Sequence, residues 1–138
     1  MKSNKKFKVI LADDHILLRD ALARLINSFD EFEVISVAGN GKELVAAVEA
    51  GNVPNVVLLD LNMPRMDGYE TAKKIRENYY WKNLPVIAVT ALAMTGDRER
   101  CVAAGMDDYL SKPIDKAILT SKMEYWLSAK TARQLAPE

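Results

Sequence analysis

"VVLLDLNMPRMDG", Val56 to Gly68, runs four apolar residues into an aspartate, Asp60, and then through a proline into a glycine turn. The apolar part reads as a strand buried on both faces, the habit of parallel sheets covered by helices. Burying a carboxylate against such a strand is costly unless something pairs with it. Asp60 therefore asks for a cation, a hydrogen-bond network or a chemical use.

Four further runs resemble this one in length and character: "FKVILA" (Phe7–Ala12), "FEVISVA" (Phe32–Ala38), "PVIAVTA" (Pro85–Ala91) and "DDYLS" (Asp107–Ser111). The quoted strand itself is expected to begin at Asn55. The second run is the most mixed, as suits a strand nearer an edge. Helical patterns separate the runs. Leu18, Leu22, Leu25 and Phe29 form an apolar stripe at helical spacing. "GKELVAAVEAG" follows Asn40 and stops at Gly51, and "GYETAKKIREN" follows Asp67, which is placed to cap it. "TGDRERCVAAG" opens at Thr95 and closes at Gly105, and a last helix is expected from a cap at Asp115 to about Lys130. Strand and helix alternate five times, which predicts a doubly wound α/β fold with a five-stranded parallel sheet. Residues 1–130 are expected to form this unit and residues 131–138 a polar tail.

The chain of 138 residues has 49% hydrophobic and 28% charged residues, enough apolar material for one well-buried core and no more. Lys plus Arg and Asp plus Glu are 19 each, so no net field favours a nucleic acid or an anionic membrane. The apolar runs are too short for a membrane span or a signal peptide. The single cysteine, Cys101, makes neither an internal disulfide nor a zinc cluster, and it is expected to be a partly buried small residue on the fourth helix. The address these features imply is the cytoplasm.

In open α/β sheets, functional groups collect at the carboxyl ends of the strands, near the reversal in strand order. Those ends hold Asp13 and Asp14, then Asp60, Thr90 and Lys112. Carboxylates gathered at one edge repel each other unless a cation sits among them, and a hard divalent ion such as Mg²⁺ (or Mn²⁺) suits an all-oxygen set. Lys112 adds a point charge fit for a phosphoryl group, and Thr90 a hydrogen-bond donor. Such a set suits phosphoryl transfer by positioning and charge neutralisation, with Asp60 as the nucleophile. His15 beside the acidic pair, the sole histidine, is read as structural or exposed, and Asp14 as contributing to the cap of the first helix. The aromatic cluster "NYYWKN" (Asn78–Asn83) is expected to lid the core, and of Tyr125 and Trp126 one is expected to pack inward and the other to face a partner.

"LADDH", "LLDLNMPRMDG", "VTALAM" and "AGMDDYLSKPI" together resemble the receiver domain of two-component response regulators and hybrid histidine kinases, over about Lys6 to Leu127. The resemblance implies a flavodoxin-like (βα)5 sheet in the order 2-1-3-4-5. It implies that Asp60 is the phosphoacceptor for a phosphohistidine on a histidine kinase or histidine phosphotransfer protein. Asp13, Asp14, Asp60 and the Asn62 backbone carbonyl are implied to hold Mg²⁺. Lys112 is implied to bind the phosphoryl group and to precede a cis bond to Pro113. Thr90 and Tyr109 are implied to be the switch pair that remodels the face of helix 4, strand 5 and helix 5 for a downstream protein partner. The resemblance also implies that small Ala91 keeps the site open to the donor and that Asn62 and Leu92 flank the path of the hydrolytic water.

The resemblance implies a signalling domain rather than an enzyme, with only slow loss of its own phosphoryl group. Two other readings remain open: a pseudo-receiver that only binds partners, and an aspartate-nucleophile phosphatase of the haloacid-dehalogenase type. The phosphatase family wants a carboxylate two residues after the nucleophile, where this chain has Asn62. Neither nucleotide-binding glycine motif is present. "DLNMPRMDGYETAKKIR" is similar to single-domain and hybrid-kinase receivers, and "DDHILLRDALARLI" to receivers joined to DNA-binding domains, so the context of the domain stays open, as does a monomer against a weak homodimer. A bulky Leu92 is expected to obstruct the water that releases phosphate. Leu92→Glu or Leu92→Ala should shorten the lifetime of phospho-Asp60, followed as decay of the phosphorylated mass; an unchanged decay refutes this role.

Overall fold

Val56 to Asp60 forms a strand in which every residue is buried, so both of its faces are covered as the apolar run requires. The computed structural model describes residues 6–51, 53–61, 63, 66–78, 81–90 and 97–135, without the side chains of 97–98 and 128–135. Within them the order is β1 (Phe7–Ala12), α1 (Ile16–Asn27), β2 (Phe32–Ala38), α2 (Gly41–Glu49), β3 (Val56–Asp60), α3 (Gly68–Glu77), β4 (Val86–Thr90), α4 (Asp97–Ala103), β5 (Asp108–Ser111) and α5 (Lys116–Leu135). The strands pair in parallel in the order β2-β1-β3-β4-β5, as expected, with the mixed strand β2 at an edge. Asn62, Tyr79, Tyr80, Ala91, Leu92 and Thr95 lie outside the described residues.

Strand side chains alternate between faces, and two cores follow from that period. Ile10, Val57, Leu59 and Ala88 meet Leu44 of α2, Ile75 of α3 and Cys101 of α4. Val9, Leu11, Leu58 and Val89 meet Ile26 of α1 and Leu119 and Met123 of α5. Each fully buried Val, Leu or Ile contributes about 2 kcal/mol, which is why β3, filling both cores, anchors the sheet. Cys101 is fully buried rather than partly so. Trp81 joins the first core, so the lid expected of "NYYWKN" holds for that residue.

Local chemistry sets the helix ends. Asn40, Asp67 and Asp115 each accept, through Oδ1, the backbone N–H three residues on, at 2.9, 2.9 and 3.0 Å. Gly51 and Gly105 take φ of +105° and +100° just past α2 and α4, a conformation that costs other residues energy. Two expectations are corrected. The cap of α1 is His15, whose Nδ1 accepts from Leu18 N at 3.4 Å, not Asp14. Leu22, Leu25 and Ile26 of α1 pack inward, as does Phe29 just past its end; Leu18 is half-exposed because it borders an open cleft with Lys112, Pro113 and Ile114. In addition, α5 continues to Leu135, past the stop expected near Lys130.

Two polar clusters secure β5, an edge strand of only four residues. Arg76 of α3 donates to the carbonyls of Gly105 (2.8 Å), Trp81 (2.9 Å) and Leu84 (2.7 Å) and to Asp107 Oδ2 (2.9 Å). The same Asp107 oxygen accepts from Val86 N at 2.8 Å, so one guanidinium ties α3 to the starts of β4 and β5. On the other side, Asp108 accepts from Lys122 Nζ (2.7 Å), Trp126 Nε1 (2.9 Å) and Tyr109 N (2.8 Å). Trp126 packs inward while Tyr125 stays 64% exposed, the division expected of that pair.

Arg76→Met leaves Asp107 and three carbonyls short of donors and should cost about 2 kcal/mol or more in urea unfolding; an unaltered midpoint would remove the clamp from the account. Burial works to raise the Asp108 carboxyl, but the hydrogen bonds from Lys122, Trp126 and the Tyr109 backbone outweigh it and hold the group below its ordinary 3.8. A carboxyl lowered by folding contributes stability that is present above the ordinary value and lost as pH falls through the lowered one. The stability gap between wild type and Asp108→Asn should therefore be widest near neutrality and narrow below about pH 3.8, measured by denaturation across pH.

Candidate functional site

The strand order reverses between β1 and β3, so the residues that end these neighbouring strands share one pocket. Asp13 follows β1 and Asp60 closes β3; they are 7% and 5% exposed, while Asp14 faces outward. One carboxylate oxygen from each of the three lies within 4.8 Å of the others. At such separations each like-charged pair repels by a few kcal/mol, at an effective dielectric between water and protein interior.

Lys112 answers that repulsion in part. Its backbone N–H donates to the Thr90 carbonyl at 2.7 Å, which fixes the chain just after β5 beside the end of β4. Its ammonium then reaches Asp13 Oδ2 at 3.1 Å and Asp60 Oδ2 at 3.7 Å. The bond from Lys112 to Pro113 is cis, as the resemblance implied. One ammonium against three carboxylates leaves an acidic pocket of oxygen donors, and this donor set fits a hard divalent cation better than any soft metal.

Backbone geometry holds the two buried acids. His15 N donates to Asp13 Oδ1 at 2.9 Å, so the residue that caps α1 also orients the first acid. The Asp13 carbonyl accepts from Arg19 Nη1 at 3.4 Å, and its N–H reaches the Ala38 carbonyl at 3.0 Å. After Asp60 the chain folds back, with Gly68 N donating to the Leu61 carbonyl at 3.1 Å. A Cβ on Gly68 would stand 2.8 Å from the Asp60 carbonyl oxygen and from Leu61 Cα, so only glycine lets α3 start this close to the acid.

Thr90 ends β4, 8% exposed and paired in register with Ser111. Tyr109 pairs with Ala88, two residues back along the strands from the Thr90–Ser111 pair; its half-buried ring packs against the core beneath α4. The structure thus brings Asp13, Asp14, Asp60 and Lys112 into direct proximity, sets Thr90 at the adjoining strand end and leaves Tyr109 farther out. Asn62, Ala91 and Leu92 are outside the described residues. Sequence reasoning passed over Lys122 and Arg76, whose partners lie on other elements and leave no local signal. Ile16 and Leu17, the latter 77% exposed, stand at the rim. A cleft of about 540 Å³ next to the pocket is lined by Asp13, Leu18, Leu22, Lys112, Pro113 and Ile114. Among the described residues, no helix is long and apolar enough to cross a membrane.

The family model of the response regulator receiver domain matches residues 9–124. The protein-glutamate methylesterase/protein-glutamine glutaminase of Trichodesmium erythraeum is 33% identical over 122 residues, which are 87% of this chain and 34% of that enzyme. The chain thus spans about a third of that relative, whose remaining length is unmatched. Among solved structures, the receiver domain of a sensor histidine kinase from Pseudomonas aeruginosa PAO1, crystallised with magnesium in its active-site cleft, is 30% identical. Its TM-score is 0.81, with 90% of this chain and 99% of that one covered. A putative response regulator from Chloroflexus aurantiacus reaches a TM-score of 0.84 at 25% identity, covering 90% and 99% of the two chains. On the family match along most of its length, with the five-stranded order and the acidic strand ends in register, the chain belongs to the response regulator receiver domain family.

Proposed function

We propose that this receiver domain accepts a phosphoryl group on Asp60 from a phosphohistidine of a partner kinase or phosphotransfer protein. The observation that carries the reading is the Lys112 ammonium set between two buried carboxylates, Asp13 and Asp60, with Asp14 close by. A carboxylate oxygen of Asp60 attacks phosphorus, the O–P bond forms and the N–P bond breaks. The electron pair returns to the donor imidazole, which takes up a proton. Lys112 meets the incoming phosphoryl oxygens, exchanging one anionic partner for another at little cost in charge separation. Asp13, Asp14 and Asp60 would hold a Mg²⁺ ion, with the Asn62 carbonyl as the further ligand the resemblance implies, and the ion would neutralise phosphoryl charge. Thr90 donates a hydrogen bond to the transferred group and so registers its arrival.

The signal then passes to the face of α4, β5 and α5, where Tyr109 is the aromatic partner of Thr90 and a downstream protein docks. The apolar rim at Ile16 and Leu17 supports docking of the donor on the other side of the pocket, because exposed apolar side chains beside a charged site suit a protein partner. The catalytic power is confined to the domain's own phosphorylation and its slow reversal.

With Mg²⁺ and acetyl phosphate, wild type should gain the mass of one phosphoryl group and Asp60→Asn should not. Lys112→Ala should slow the gain about a hundredfold, the usual loss when one electrostatic stabiliser is removed. No gain in wild type from acetyl phosphate or a phosphorylated histidine domain would leave an interaction module, and repeated turnover of phosphate esters would mark a phosphatase.

A further inference from the structure

We infer that Lys122 is a positioning residue for Tyr109: it holds the aromatic ring of the switch in place and thereby couples it to Asp60. The inference rests on the receiver reading above. Because β5 is an edge strand, Tyr109 presents its backbone N–H and carbonyl on the open side, where no neighbouring strand lies. Lys122 reaches there from α5 and donates to the Tyr109 carbonyl at 2.8 Å. The same ammonium donates to Asp108 Oδ1 at 2.7 Å and stands 5.4 Å from the centroid of the Tyr109 ring, within the range at which a cation is attracted to an aromatic face.

Tyr109 is thus gripped three ways by one ion pair. Its N–H donates to Asp108 Oδ1, its carbonyl accepts from Lys122, and its ring lies by the Lys122 ammonium. The pair is itself braced, because Trp126, one turn beyond Lys122 on α5, donates Nε1 to Asp108 Oδ2 at 2.9 Å. Packing alone does not confine the ring. One side rests on the core beneath α4, but the other borders a cleft of about 540 Å³ lined by Tyr109, Ser111, Pro113, Ile118 and Lys122. With open space on that side, the ammonium is what distinguishes one ring orientation from another. A change of orientation then costs the contact with Lys122, and this cost enters the equilibrium that phosphorylation shifts.

The test separates ring positioning from plain anchoring of α5. In protein labelled with 3-fluorotyrosine, the Tyr109 line is identified by its loss in Tyr109→Phe. Lys122→Met should move that line, Lys122→Arg should return it toward wild type, and Ile26→Val, a destabilising change in the core under α1 on the opposite face of the sheet, should leave it in place. Beryllofluoride with Mg²⁺ then serves as the phosphoryl mimic. Its affinity should differ about threefold between wild type and Lys122→Met, and that difference should vanish when both carry Tyr109→Ala. An unmoved line, equal affinities, or an affinity difference that survives Tyr109→Ala overturns the inference. Failure of wild type to bind beryllofluoride overturns the receiver reading instead, and the fluorine line, recorded without the mimic, still decides whether Lys122 positions the ring.

Discussion

Like charges gathered at the end of a parallel sheet are the constraint on which the rest of this molecule depends. Asp13 and Asp60 are nearly buried within a few ångströms of each other, and the Lys112 ammonium lies within 4 Å of both. Such an arrangement persists only if the backbone forces it, because each carboxylate alone would be better solvated outside. The backbone does so through the two buried cores. β3 fills both, its end cannot retreat, and Asp60 is carried to a fixed point beside β1. The pocket's electrostatic tension is therefore a product of hydrophobic packing, and it leaves a cluster of oxygen donors suited to a cation.

The loops around the pocket obey the same constraint. The Gly68 turn starts α3 against the Asp60 carbonyl, His15 both caps α1 and donates to Asp13, and the Lys112 N–H grips the Thr90 carbonyl. Each contact joins the end of one strand to the beginning of the following element or to the neighbouring strand. The sheet's amino-terminal edge is held independently by Arg76, Asp107 and the Trp81 and Leu84 carbonyls. The polar clamp at that edge and the charged pocket at the opposite strand ends thus share no hydrogen bond among the described residues.

The comparisons place this chain among receivers found in several molecular settings, from part of a methylesterase to the receiver of a sensor kinase. What the solved receiver structures share with this chain is the fold.

The sequence by itself determined the alternation of strands and helices, the caps at Asn40, Asp67 and Asp115, the glycine stops and the set of residues at the strand ends. Each of these is written in local chemistry: side-chain period, capping oxygens, or glycine's freedom at positive φ. It misplaced the cap of α1 and the inward stripe of that helix, because whether His15 or Asp14 meets the free N–H groups, and whether Leu18 is covered, depends on how α1 lies over the sheet. Arg76, Asp107, Asp108 and Lys122 gave no warning as charged residues in ordinary surroundings. Their roles arise from partners on other helices and strands, and only the tertiary structure decided those, since a hydrogen bond across elements has no period along the chain.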